Sequence, residues 1–476
     1  MILAYDIGTT TLKLALVDER GNFFNYQEQK VMSHIDGDRA ECNSQDYLTF
    51  LSLYLKSVDT SLIDAISVSG TGPSLVPTLG EPVIENDLIK IKAYPTRLYL
   101  DKRGQCKSPE VSEFWNEYVD GSFIIPSVLA MRENENATFE NTKYFLSADG
   151  FVNYALTNCL ATVNTPDGLL KYYWNEECLN HFNLSDEKFP PIVDSAIVLG
   201  EIREDIAKTF NLKKDVKIIS GGVDFYVNIL GSRANKNGVM CDRAGTSEGL
   251  NLCSDIPIAI DGLLNYEHPI DGKFNVSGMI STTGAAVDWI RKVMNIDDKD
   301  YNYFYKLASS AKDSSELIFL PYLSGERAPI WNSHAKGVMF GMGLDSGNAE
   351  IAKAVVEGTA LALKDVIKTM EMEGAFIDEI NFANSHTLNN YYLQLKCDIT
   401  NKKVNIIETK SAELLGIAML CYKEMGVYSS LVEAIENMSK ITRTYFPNPA
   451  NVEKYNKMYI RYKHLYKVLK SEFTKL

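Results

Sequence analysis

Basic residues are in deficit: 48 Lys and Arg stand against 62 Asp and Glu, a formal net charge of −14 over 476 residues. Phosphate backbones demand clustered cations, so this balance excludes a general nucleic-acid binder. Long apolar runs are missing as well. No stretch approaches the roughly 18 uninterrupted apolar residues of a membrane-spanning helix. Met1 leads straight into Ile2-Leu3-Ala4-Tyr5-Asp6, without the basic n-region or long apolar h-region of a secretory signal. The eight cysteines (42, 106, 159, 178, 241, 253, 397 and 421) contain no Cys-x-x-Cys pair, and the six histidines show no metal-ligand spacing. A disulfide framework and a zinc site are thereby excluded, and reduced thiols in a cytoplasmic protein are expected. No Walker-type Gly-x₄-Gly-Lys-Ser/Thr occurs. What is present is an ordinary globular composition, 45% hydrophobic and 11% aromatic, in a chain long enough for about two or three domains.

The order of patterns suggests two domains. Ile2–Ile7, Leu12–Val17 and Phe23–Val31 read as a β-meander, with Gly8-Thr9-Thr10 as its first turn. Gln45–Lys56, Ser122–Glu133 and Asn141–Leu156 show helical apolar spacing; Ala65–Ser69 and Lys217–Ser220 read as buried strands. After a polar stretch at Arg233–Gly238 the meander restarts: Val239–Asp242, a Gly245-Thr246-Ser247 turn, Leu250–Cys253, Gly262–Glu267 and Phe274–Met279. An N-terminal domain over 1–235 and a C-terminal domain over 236–476 are therefore expected. From Glu453 to Leu476, Tyr455, Met458, Tyr459, Tyr462, Leu465, Tyr466, Leu469 and Phe473 fall on one helical face. Three uses are open to that stripe: docking onto its own domain, a subunit contact in a homodimer, or a membrane surface, which the acidic remainder disfavours.

Four motifs can carry chemistry. In Asp6-Ile7-Gly8-Thr9-Thr10-Thr11-Leu12-Lys13 a strand-terminal carboxylate precedes a tight turn whose N–H groups and hydroxyls suit an anion. The same residues also make an ordinary hairpin. Gly221-Gly222-Val223-Asp224 sets a carboxylate at a helix start (Tyr226–Leu230), either as an N-cap or as a base for a substrate hydroxyl. Around Gly245-Thr246-Ser247 there is a second phosphate-type turn or, alternatively, the Gly-x-Ser-x-Gly elbow of a serine hydrolase with Ser247 as nucleophile. The elbow requires a helix directly after the serine, and Leu250–Cys253 is strand-like. Ser69-Gly70-Thr71-Gly72 has the start of a dinucleotide fingerprint, but its third glycine would fall at Leu75 and Pro73 interrupts it.

Taken in order, these motifs resemble those of the FGGY carbohydrate kinases, in the sugar kinase–actin–chaperone ATPase superfamily. The likeness extends through Phe319-Leu320-Pro321-Tyr322-Leu323-Ser324-Gly325-Glu326-Arg327-Ala328-Pro329 to Gly337–Met342, Glu350-Ile351 and Ala354–Glu357. It implies an α/β protein of two ribonuclease-H-like, actin-like ATPase domains flanking a catalytic cleft. It implies Asp224 as catalytic base and Asp6 as organiser of Mg²⁺, through water. Gly8, Thr9, Thr10, Lys13, Gly245, Thr246, Gly284, Ser385 and Asn389 would bind the phosphates and nucleotide of ATP. Thr71, Gly72, Pro73, Asp101, Arg103 and Asp224 would bind the sugar. The implied partners are small molecules, a sugar and a nucleotide.

Departures from the family pattern bear on the substrate. Gly72-Pro73-Ser74 replaces the Met-His-Gly usual in xylulose kinases, and the glycerol kinases' Arg-Glu pair is missing. Tyr99-Leu100-Asp101-Lys102-Arg103 keeps the aspartate and arginine of Trp-x-Asp-x-Arg; Ser127 and Ala130 stand where lysine and tryptophan are usual. Asn384-Ser385-His386 takes the place of the glycine turn that lies against adenosine, which puts the phosphoryl donor in question. A pentulose such as xylulose is the expected acceptor, with ribulose, glycerol and gluconate as alternatives. A non-catalytic sugar sensor on the same fold is a further class, and the absence of a DNA-binding extension before the first strand counts against it.

Overall fold

The structure, a computed structural model, describes residues 1–164, 169–258, 262–312, 317–383 and 389–476. It forms two compact units, Met1–Gly231 with Ser411–Ser439, and Ser232–Lys410 with Lys440–Leu476. The division therefore falls at Gly231 rather than at 235, and 411–439, expected in the C-terminal domain, belongs with the first unit. Its helix, Ala412–Glu424, lies directly on the helix Asp224–Gly231. A Cβ at Gly416 would sit 1.9 Å from the Val227 carbonyl oxygen, and one at Gly231 would sit 1.9 Å from that of Ala412. Two glycines let the backbones touch, and no other residue fits at either place.

In the first unit, β1 (Ile2–Ile7), β2 (Thr11–Val17) and β3 (Phe23–Lys30) form the expected antiparallel meander. β4 (Ala65–Gly70) pairs parallel to β1. β5 (Val198–Glu201) closes the edge antiparallel to β6 (Lys217–Val223), which runs parallel to β4. The sheet order is β5-β6-β4-β1-β2-β3. β1 and β4 are buried along their whole length, as central strands covered on both faces must be. One helix expectation fails: over 141–156 the chain makes a strand, Tyr144–Leu146, before a helix at Ala148–Thr157. Ser147 caps that helix by accepting from the Gly150 N–H. Tyr144-Phe145-Leu146 is apolar throughout, so its spacing fits either period.

The second unit repeats this plan. β7 (Val239–Ala244), β8 (Glu248–Ser254), β9 (Leu264–Glu267) and β10 (Phe274–Ile280) pair antiparallel. β11 (Glu379–Phe382) and β12 (Lys403–Ile407) extend the sheet parallel to β7, and β13 (Ile441–Tyr445) closes it antiparallel. The order is β9-β10-β8-β7-β11-β12-β13. Each unit thus begins with a hairpin whose first strand has its antiparallel hairpin partner on one side and a parallel strand on the other, the ribonuclease-H-like arrangement. The C-terminal helix, Pro449–Phe473, buries Tyr455, Met458, Tyr462, Leu465, Tyr466 and Phe473 in the core of its own unit. There the Tyr455 hydroxyl donates to Glu357 at 2.9 Å, and those of Tyr462 and Tyr322 lie 2.7 Å apart. Of the three uses open to the stripe, the fold adopts docking onto its own domain. Among the described residues, no helix is long and apolar enough to cross a membrane.

Candidate active site

The first phosphate-type turn closes between β1 and β2, where the Gly8 N–H donates to the Thr11 carbonyl at 3.2 Å. Asp6, at the end of β1, is 2% exposed. It accepts from the Ser69 hydroxyl at 2.7 Å, and its other oxygen lies 3.6 Å from the Lys13 ammonium. Lys13 bonds at 3.1 Å to Glu413, which also accepts from Asn228 at 2.8 Å and from the Ser411 hydroxyl at 2.6 Å. Asp224 opens the helix after β6, and its carboxylate accepts from the Phe225 N–H at 2.6 Å. Burial, assisted by the charges of Glu413 and Asp224, pushes Asp6 up to about 7 against the opposing pull of Lys13. Burial also acts on Glu413, but Lys13, Ser411 and Asn228 overcome it and hold that carboxyl at about 2.

Thr71 joins this cluster. Its N–H and hydroxyl both donate to the Ile7 carbonyl, at 2.9 and 3.0 Å, and the Thr9 hydroxyl lies 3.5 Å from its own. Thr10 accepts at its carbonyl from the Val31 N–H, and a cis peptide bond joins Gly72 to Pro73. Asp101 and Arg103 do not join it. Asp101 accepts from the Ala40 N–H at 3.0 Å and from Arg103 at 2.7 Å; Arg103 also pairs with Glu41 and Glu135. No hydrogen bond or ion pair links either residue to Asp6, Thr71 or Asp224 among the described residues.

The second turn, Gly245–Ser247, closes between β7 and β8 with a Gly245 N–H to Ser247 carbonyl bond of 2.9 Å. Gly284 lies on it: its N–H donates to Gly245 at 3.0 Å, Ala285 donates to Thr246 at 3.0 Å, and a Cβ at Gly284 would be 2.3 Å from the Gly245 oxygen. Gly245, Thr246 and Gly284 are thus brought together. Ser247 leads into β8 and not into a helix, so the hydrolase elbow is absent. Asn389 caps the helix Asn390–Thr400 by accepting from the Tyr391 N–H at 2.9 Å, and donates to Asn302 at 3.1 Å. Ser385, with Asn384 and His386, lies outside the described residues.

Two groups escaped sequence reasoning. Glu413 sits 400 residues from its partner Lys13, and no local pattern marks it. The other is a fully buried triad beneath the second turn, where Lys396 bonds Asp242 at 2.9 Å and Glu248 at 2.8 Å, with the rings of Phe382 and Tyr392 beside it. A lysine set between Leu395 and Cys397 in the helix Asn390–Thr400 was the available signal. Burial and the Glu248 charge push Asp242 well above the carboxylate range, while the two carboxylates, overcoming burial, hold Lys396 protonated.

Two sheets of one topology, each with a Gly-Thr turn after its first strand, define an actin-like, ribonuclease-H-like fold. Residues 242–425 match the model of the FGGY family of carbohydrate kinases, C-terminal domain. The chain is 23% identical to a xylulose kinase of Staphylococcus epidermidis, over 99% of this chain and 97% of that one. A ligand-bound xylulose kinase structure from Lactobacillus acidophilus superposes with a TM-score of 0.86 at 23% identity, covering 100% of this chain and 99% of that one. A gluconate kinase structure from the same organism gives the same TM-score, 0.86, identity, 23%, and coverage, 100% and 99%. Over residues 242–425 the chain is thus similar to the C-terminal domain of the FGGY family of carbohydrate kinases, and over nearly its whole length to a xylulose kinase.

Proposed function

We propose that this protein transfers the γ-phosphoryl group of ATP to a hydroxyl of a pentulose, with xylulose as the leading acceptor. One observation carries the reading: Asp224 and the Asp6–Lys13 turn occupy one unit, close enough for the Asp224 charge to raise the Asp6 carboxyl. Asp224 takes the proton of the attacking hydroxyl, whose oxygen bonds to the γ-phosphorus as the bond to ADP breaks. The chain's own part is positioning and charge stabilisation, as in phosphoryl transfer generally. Lys13 supplies a positive charge beside the first turn; Gly245, Thr246 and Gly284 supply a backbone surface in the second unit.

The residues fit a magnesium ion. Asp6 and Glu413 flank the one Lys13 ammonium and the Asp224 charge acts on Asp6, an excess of negative charge that a divalent cation would relieve. Asp6 would hold it, through water, since the described residues contain no cluster of three or more direct ligands. When bound, the ion neutralises charge on the transferring phosphates. The test is ADP formation with MgATP and a panel of xylulose, ribulose, xylitol, glycerol and gluconate. Sugar-dependent turnover led by a pentulose is expected; ADP formation indifferent to every acceptor would refute the reading.

A further inference from the structure

Two polar side chains are buried beside the loop after β4. Asp149, in the first turn of the helix Ala148–Thr157, is 7% exposed; it accepts from Ser147 and from backbone N–H groups of its own turn, and it forms no ion pair among the described residues. Tyr173 is 2% exposed, and its hydroxyl makes no hydrogen bond among the described residues. Buried polar groups are ordinarily satisfied, because leaving them bare costs free energy. Both lie against the same short stretch of backbone. An atom at the Cβ position of Gly70 would be 3.2 Å from Asp149 Oδ1, and one at that of Gly72 would be 3.1 Å from the Tyr173 oxygen. Thr71, between these glycines, is the residue that touches the first phosphate turn. The Tyr173 hydroxyl also feels Asp224: burial first, then the charges of Asp149 and Asp224, push it well above the ordinary tyrosine range.

The neighbouring cations are committed elsewhere. Arg103 is held by Asp101, Glu41 and Glu135; Arg97 by Glu135 and Ser127; Lys13 by Glu413 and Asp6. We propose that Asp149 and Tyr173 form a subsite for the acceptor's hydroxyl groups, one that takes a neutral polyhydroxylated sugar and rejects a sugar acid. The carboxylate accepts hydrogen bonds from sugar hydroxyls, and the phenol donates one. A sugar carboxylate there would face Asp149 and Asp224 with the neighbouring described cations already paired, and like charges at close range repel strongly in a buried site. The inference rests on the kinase reading above, whose structural relatives include both a xylulose kinase and a gluconate kinase.

The experiment titrates xylulose and gluconate into wild type, Asp149→Asn and Tyr173→Phe by calorimetry without nucleotide, then measures KM and kcat for both sugars with MgATP. Wild type should bind xylulose and not gluconate. Each variant should weaken xylulose binding about tenfold or more, the size of a hydrogen bond involving a charged group. Their melting temperatures and their affinity for a non-hydrolysable ATP analogue should stay at the wild-type values. Asp149→Asn should also narrow the preference for xylulose over gluconate, which loss of a helix-capping role alone would not do. Tyr173→Phe keeps the ring and reads the site even if the Asp149 variant fails to fold. Tight gluconate binding by wild type, no binding of xylulose, or unchanged xylulose affinity in Tyr173→Phe would overturn the proposal. Xylulose bound at this subsite but never phosphorylated would leave the subsite standing and refute the kinase reading instead.

Discussion

Burial acts on both carboxylates paired with Lys13, yet Asp6 is pushed up to about 7 and Glu413 is held at about 2. The difference is in the partners: Glu413 receives Lys13, Ser411 and Asn228, while Asp6 has one serine and a more distant lysine. A glutamate satisfied in this way holds Lys13 in place, and through Asn228 it braces the helix that begins at Asp224. Asp6 and Asp224 were legible in the sequence because each ends a β-rich run beside glycine. Glu413 was not, since only the crossing of two helices brings it near. Burial also lowers His268 to about 4 from an ordinary 6.5. Below pH 6.5 the unfolded chain therefore binds a proton that the folded chain does not, and stability falls until the pH reaches about 4. The loss amounts to at most about 3 kcal/mol. Chemical denaturation across this range should show that slope in wild type and a flatter one in His268→Gln; identical slopes would remove His268 as the cause.

Elements inherit their positions from a few contacts. The helix Ala412–Glu424 reaches the Asp224 helix only because Gly416 and Gly231 carry no side chains. Gly416→Ala should cost about 1–3 kcal/mol by overpacking and lower kcat as the Asp224 helix shifts. Denaturation together with kinetics would test this, and a variant with wild-type stability would show that the crossing is loose. In the second unit, Lys396 ties the β7–β8 hairpin to the helix Asn390–Thr400. Lys396→Met leaves two buried carboxylates uncompensated and should destabilise by roughly 3–5 kcal/mol. Adding Asp242→Val and Glu248→Gln should recover most of that loss; a triple variant as unstable as the single one would contradict the charge argument. Both meanders and the C-terminal helix could be read from apolar period and turn chemistry. The strand Tyr144–Leu146 could not, because three consecutive apolar residues fit a helix and a strand equally well.

For the molecule as a whole, the repeated topology was visible as two similar outlines, whereas the return of Ser411–Ser439 to the first unit was not. That return depends on packing between segments far apart in the chain, which no window of sequence contains. The assignment of roles to units predicts separate footprints in hydrogen exchange. Xylulose alone should protect backbone amides of Ile66–Gly72, and a non-hydrolysable ATP analogue alone should protect those of Gly245–Ser254 and Thr283–Val293. Protection of the same segments by both ligands would contradict that division. The most direct measurement of the central claim compares wild type with Asp224→Asn for ADP formation from MgATP and xylulose, with xylulose affinity measured alongside by calorimetry. Turnover should require the sugar and fall by roughly 10²–10⁴ in the variant, as expected on losing a general base, while the sugar still binds. Equal turnover in the two proteins would contradict Asp224 as the base and, with it, the mechanism built on that residue.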